Sequence, residues 1–173
     1  MLTNTDLYNE DFAAWCDTTA ALLRAGQWDG IDTEALAEEI ESLAKRDRRE
    51  LESRLEGLVM HLLKWQYQPW RRAEGHSWAS TILEHRSRLA RLLRDSPSLR
   101  PQVPMLLKDG YPVARQRAIV EMTPGWPTRP DPGYLRQPGM EPVIMPLDVV
   151  LPQACPWSAE EVLDLDFWPP AFP

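Results

Sequence analysis

TEALAEEIESLAKRDRRELESRLEGLVMHLLKWQY, residues 33–67, decides the fold. Leu36, Ile40, Leu43, Leu51, Leu55, Leu58, Leu62 and Trp65 recur at the three-and-four spacing that gathers side chains along one side of an α-helix. The stretch contains no proline, and its single glycine, Gly57, is tolerated inside a pattern this strong. Asp47 falls where an apolar residue is expected, within the fully charged run Lys45-Arg46-Asp47-Arg48-Arg49. The reading is a single, nearly continuous rod with a solvated middle and room for a kink there. Pro69 ends it, because proline disfavours helical geometry in the residue before it.

Working outward, residues 8–25 form a helix with Phe12, Trp15, Cys16, Thr19, Leu22 and Leu23 on its buried side, stopped by Gly26. Asp32 caps the long helix through its carboxylate. Downstream, Ser77 caps a helix over about 78–94, with Trp78, Ile82, His85, Leu89, Leu92 and Leu93 facing inward. Another helix spans about 98–122, with Pro101 in its first turn and Pro104, Gly110 and Pro112 as sites of kinking or breaking. Twelve of the 17 prolines lie after residue 123. Thr123 to about Met145 therefore reads as an irregular loop or arm, with Val143–Met145 and Val149–Leu151 as extended pieces. Ser158-Ala159-Glu160-Glu161 matches a capping box and opens a short helix through about Leu165. Phe167 and Trp168 are expected to tuck onto the bundle. The expected fold is all-α: a bundle of four to five main helices over residues 1–123. Residues 124–173 add a Pro-rich segment and a short C-terminal helix packed on it, the whole being one domain.

Composition narrows the function classes. A chain of 173 residues with 43% hydrophobic and 26% charged residues can bury a core without disulfides or metal. No apolar run approaches the ~20 residues that span a bilayer. The first residues lack the basic-then-apolar pattern of a secretory signal, so a cytoplasmic protein is expected. Cys16 and Cys155 form no CxxC pair; Cys16 reads as a small core residue, and Cys155 has no cationic neighbour to activate it. The net charge of −7 argues against nucleic acid. That charge is unevenly laid out. Residues 1–63 carry 6 basic and 14 acidic side chains, residues 64–100 carry 8 and 3, and residues 101–173 carry 5 and 9. The basic middle block is expected to pack near the acidic first block or to meet an acidic surface on another chain.

Several blocks together resemble the bacterial DUF29 family. They are Ile31-Asp32 to Leu36, Glu38–Leu43, Arg49–Leu55 and the distinctive His61-Leu62-Leu63-Lys64-Trp65-Gln66-Tyr67-Gln68-Pro69. Ser77-Trp78 with Thr81-Ile82, Asp95–Leu99, Cys155-Pro156-Trp157-Ser158 and Asp166–Pro169 continue the series, which runs from about Asp11 to Pro169. Residues 124–144 depart from the family pattern as an insertion. The resemblance implies a helical bundle and carries neither an activity nor catalytic residues.

Three groups of residues can carry chemistry. His61 and His85 lie on apolar helix faces, and with Glu41 they are candidates for an inter-helix metal site of the kind bundles build. The Glu-x-x-His spacing of such sites is absent, so each histidine is expected to bond a backbone carbonyl or a glutamate instead. Glu38, Glu39 and Glu41 are general acid–base material only if one is buried; otherwise they form a solvated face. Trp70, Arg71, Arg72, Arg88 and Arg91, with Arg86 extending the basic character, mix aromatic and basic residues, which suits a plain structural role with the arginines paired to the acidic first block, or else a protein interface, better than single-stranded nucleic acid. No phosphate-binding or nucleophile motif occurs, and no cofactor is expected. The expected function is a non-enzymatic protein-binding or adaptor-like role, with self-association through complementary charge blocks included. The alternative is a metal- or carboxylate-dependent enzyme with its site between helices.

Overall fold

The computed structural model describes residues 3–72, 77–123 and 150–172, the Trp70 side chain excepted. Helices α1 (Asn4–Glu10), α2 (Phe12–Ala25), α3 (Thr33–Tyr67), α4 (Ser77–Asp95), α5 (Val103–Met122) and α6 (Ala159–Leu163) make an all-α fold, with 3₁₀ turns at Trp28–Gly30, Pro69–Arg72 and Pro97–Gln102. No strand occurs among the described residues. The chain forms two compact units, Met1–Asp47 and Arg48–Pro173. The expected loop and extended pieces over 124–149 lie outside the described residues.

In the first unit the expected helix over 8–25 is two helices. Asp11 leaves helical geometry (φ −148°, ψ 87°), and its carboxylate accepts from the Ala14 N–H at 3.0 Å. A capping aspartate thus starts a new helix where periodicity alone reads straight through. Thr3 and Asp6 close a capping box on α1. Gly26 ends α2 in the left-handed conformation, φ 69°, as its position requires. Asp32 caps α3, accepting from the Ala35 N–H at 3.1 Å. Asn4 ties these elements together. Its Oδ1 accepts from the Trp15 indole N–H (3.0 Å) and the Asp32 N–H (3.1 Å), and its Nδ2 donates to Thr19 Oγ1 (2.9 Å). Tyr8 donates to Glu39 Oε1 at 2.8 Å.

The buried part of this unit is small: Trp15, Thr19, Ile31 and Ala35. Several residues expected inside lie outside. Cys16 is exposed, and Phe12, Ile40 and Leu43 are 50%, 60% and 55% exposed. Forty-seven residues offer too little surrounding chain to cover a full helical stripe.

Helix α3 is one helix without a break at the charged run. From Leu51 onward its stripe is covered. Leu51, Leu55, Leu58, Leu62 and Leu63 are buried with Ile82, Leu89 and Leu93 of α4 and Val103, Leu107, Tyr111, Ala114, Ala118 and Met122 of α5. Ser77 is the first residue of α4 and not a cap preceding it, and its carbonyl accepts from the Thr81 hydroxyl at 2.6 Å. Residues 97–102, expected to begin the next α-helix, form a 3₁₀ turn containing Pro101. Helix α5 starts at Val103 with Pro104 in its first turn and runs through Pro112 without ending. Leu151, Trp157, Ala159 and Val162 join the same core. The Ser158–Glu161 capping box forms as expected, and Trp168 packs 4.7 Å from Trp65, ring centre to ring centre.

Leu58→Ala, in the covered stretch, is expected to lower the unfolding free energy by about 2–5 kcal/mol. Ile40→Ala, in the open stretch, should change it by less than about 0.5 kcal/mol. Urea denaturation followed by circular dichroism checks the contrast.

Candidate functional site

The second unit brings His61 of α3 and His85 of α4 together. Their ring centres are 6.2 Å apart with the planes inclined at 34°. Gly57, one turn before His61, makes the room: a Cβ there would stand 2.9 Å from His85 Cε1 and 3.0 Å from Nε2. The glycine therefore serves close helix–helix approach rather than backbone freedom. Gly110 does the same on α5, where a Cβ would meet Glu56 Cγ at 3.2 Å.

The electrostatics of the pair favour neutral rings. Burial lowers the pKa of His61 to about 4, helped by Lys64, His85 and Arg117 against Glu121. Burial, with Arg54 and Arg117 against Glu84, lowers that of His85. The neighbouring carboxylates already hold cations. Lys64 Nζ lies 2.6 Å from Glu121, Arg117 3.9 Å from Glu56 and Arg88 3.7 Å from Glu84. Neither histidine's Nδ1 meets a hydrogen-bond partner among the described residues. The expected bond to a carbonyl or glutamate is therefore absent at those atoms. Glu41 belongs to the first unit, where its carboxylate accepts from Lys45 at 3.1 Å. Among the described residues no group of three or more His, Cys, Asp or Glu is placed to share a metal ion. Glu39, of the acidic run, is engaged by Tyr8.

The basic residues are used differently from one another. Arg72 donates from Nε (2.8 Å) and Nη2 (2.6 Å) to the Trp65 carbonyl, and its guanidinium sits 4.5 Å above the Trp65 ring. It thus caps the negative end of α3. Arg71 lies 6.0 Å from the Trp78 ring centre. Arg88 and Arg91 are exposed on α4. Trp70 is placed in the turn after α3, and its side chain lies outside the described residues.

The buried member of the basic stretch is Arg86. It lies in the basic stretch of residues 64–100, and it is 1% exposed. Its Nε donates to the Val162 carbonyl at 2.9 Å and Nη2 to the Glu161 carbonyl at 3.5 Å, and its guanidinium lies 5.6 Å from the Trp168 ring centre. Arg86 therefore holds the C-terminal end of α6. The available signal is spacing: Ile82, Arg86, Leu89 and Leu93 are all buried and fall on one stripe, with His85 beside it. Tyr111 and Arg115 act likewise. The Tyr111 hydroxyl (2.7 Å) and Arg115 Nε (3.0 Å) donate to the Pro152 carbonyl, and Arg115 Nη2 donates to that of Leu151 (3.2 Å). Cys155 is partly buried, its thiol 3.4 Å from the Trp157 carbonyl, and burial raises its pKa, so it is not an activated nucleophile. A shallow cleft of about 400 Å³ lies beside α6, lined by Leu93, Arg100, Val103, Pro104, Leu163 and Asp164 among others, away from both histidines.

These features define an all-α protein in which Arg86, Tyr111 and Arg115 fasten the C-terminal segment. The chain belongs to the family described as domain of unknown function DUF29, whose family model matches residues 7–168. Comparison with curated proteins and with solved structures found no match. Among the described residues no helix is long and apolar enough to cross a membrane.

The histidine pair yields a pH dependence of known sign. A folded-state pKa below the ordinary 6.5 means the native state binds fewer protons than the unfolded chain, so stability falls as pH drops from about 6.5 toward 4. His61→Gln should flatten the decline between about pH 6.5 and 5, a window above most carboxylate titrations, in urea melts at several pH values. Arg86→Met retains length and loses both carbonyl bonds. It is expected to cost about 1.5–3 kcal/mol and to make residues 150–172 markedly more sensitive to limited proteolysis.

Proposed function

We propose that this chain is a non-enzymatic protein-binding protein of the cytoplasm that engages its partner through the Met1–Asp47 unit. The observation that carries this reading is the open apolar face of α3 in that unit. Ile40 and Leu43, three residues apart on α3, are 60% and 55% exposed and Phe12 of α2 is 50% exposed, in a unit that buries four residues, and exposed apolar residues grouped on one helix face suit an interaction site. Two free cysteines suit a reducing compartment. A net charge of −7 disfavours a phosphate backbone as the ligand. The enzyme alternative has weaker support. His61 and His85 are held neutral among Lys64, Arg54 and Arg117, and the nearby carboxylates carry cations of their own.

The test uses the full chain as bait in lysate of its source cells, beside the Phe12→Ser/Leu43→Ser variant, with quantitative mass spectrometry. At least one protein should be enriched several-fold by the unsubstituted chain and lost with the variant. Identical recoveries from both baits, together with a monomer by light scattering, would overturn the reading.

A further inference from the structure

We infer that the outer face of α5 pairs, antiparallel, with the same face of a second copy of the chain. The inference goes beyond the protein-binding reading and uses the other unit.

The outer side of a surface helix is ordinarily polar. Helix α5 departs from that rule. Its inner side is filled by Leu107, Tyr111, Ala114, Ala118 and Met122, all buried. Its outer side nevertheless carries Met105, Val113 and Val120 as exposed apolar residues, with exposed Pro112 beside Val113. Exposed Asp109 and Gln116 fill the remaining places of the same stripe. At about 100° per residue these six positions fall within an arc of about 100°, and Met105 to Val120 spans about 22 Å along the axis. A stripe with one charge in six residues suits an interface better than open water.

The order of the six residues selects the occupant. The stripe is symmetric in kind about the midpoint between Pro112 and Val113. Met105 and Val120 stand equally far from that point, and so do Asp109 and Gln116. Two copies laid antiparallel, with a two-fold axis at the midpoint, bring Met105 to Val120, Pro112 to Val113 and Asp109 to Gln116, each pair occurring twice. Apolar groups then meet apolar groups. The Gln116 amide donates to the Asp109 carboxylate of the other copy, so the one charge that loses water gains a donor. Neither side chain is engaged elsewhere: Asp109 and Gln116 have no hydrogen bond or ion pair among the described residues. Parallel pairing loses the match, because it sets Asp109 against Asp109. A strongly charged helix from another protein would find a single carboxylate in the stripe to answer it. Helix α5 as a whole carries 3 basic and 2 acidic side chains, so two copies of it meet with little repulsion. A face of about 22 by 10 Å covers less than the ~800 Å² per partner of a standard interface, which makes the association micromolar.

Sedimentation equilibrium of the full chain between about 2 and 300 µM tests this. A monomer–dimer equilibrium with a Kd of about 10–100 µM is expected. Val113→Lys sets two cations together at the two-fold axis and should weaken the dimer at least about tenfold, with helicity by circular dichroism retained because the site is exposed. Gln116→Lys offers the Asp109 carboxylate a cation in place of an amide and should tighten the dimer several-fold at low salt, a gain that loss of folding does not produce. Asp109→Lys/Gln116→Lys should lose that gain and fall at least about tenfold below the unsubstituted chain. Phe12→Ser/Leu43→Ser should leave the dimer unchanged. A monomer throughout the range would overturn the proposal. So would a dimer that survives Val113→Lys, or one that Gln116→Lys fails to tighten. A dimer dispersed by Phe12→Ser/Leu43→Ser and not by Val113→Lys belongs to the first unit: the α5 pairing then falls and the protein-binding reading stands.

Discussion

Burial of one side of α3 from Leu51 to Leu63 is the contact on which the second unit depends. Helix α4, helix α5 and the C-terminal segment all contribute to the core that includes these leucines. The close approach this demands is visible in two glycines. Gly57 admits the imidazole of His85, and Gly110 admits the side chain of Glu56. A methyl group at either place presses on a neighbouring side chain, and interiors packed near crystal density have little room to yield.

A second theme is the use of guanidinium groups on backbone carbonyls. Arg72 holds the end of α3, Arg86 the end of α6, and Arg115 with Tyr111 the chain at Leu151 and Pro152. Helix ends leave carbonyls without partners, and a cation there meets both the hydrogen-bonding need and the negative end of the dipole. A short helix of five residues such as α6 is marginal by itself. Fastened by Arg86 and packed through Ala159 and Val162, it becomes part of the core. The positive excess of residues 64–100 is thus partly structural: Lys64, Arg72 and Arg86 act within the second unit.

The histidines show how one sequence signal can have several physical outcomes. Apolar faces around His61 and His85 bring the rings together, as the spacing implies. Whether such a pair carries a metal, a proton or neither depends on the charges around it, and those come from elements distant in sequence. Lys64, Arg54 and Arg117 surround the pair with positive potential, and the carboxylates nearby are already engaged. Glu41, twenty residues upstream of His61 on the same helix, pairs instead with Lys45.

Periodicity, caps and proline positions determined from sequence the helical class, the long α3 rod, the cap at Asp32, the stop at Gly26 and the capping box at Ser158. All of these are local: each depends on residues within about one turn of one another. The break at Asp11 is also local, but a capping aspartate inside a helical period competes with the period, and the cap prevailed. Only the tertiary structure decided which part of a uniform stripe would be covered. Ile40 and Leu43 follow the same spacing as Leu51, Leu55 and Leu58, yet cover requires enough chain around the helix, and the first unit is too small to supply it. The same holds for Arg86, whose burial needs two carbonyls 75 and 76 residues away. Spacing can place a side chain on a face; what meets that face is set by chain far away in sequence.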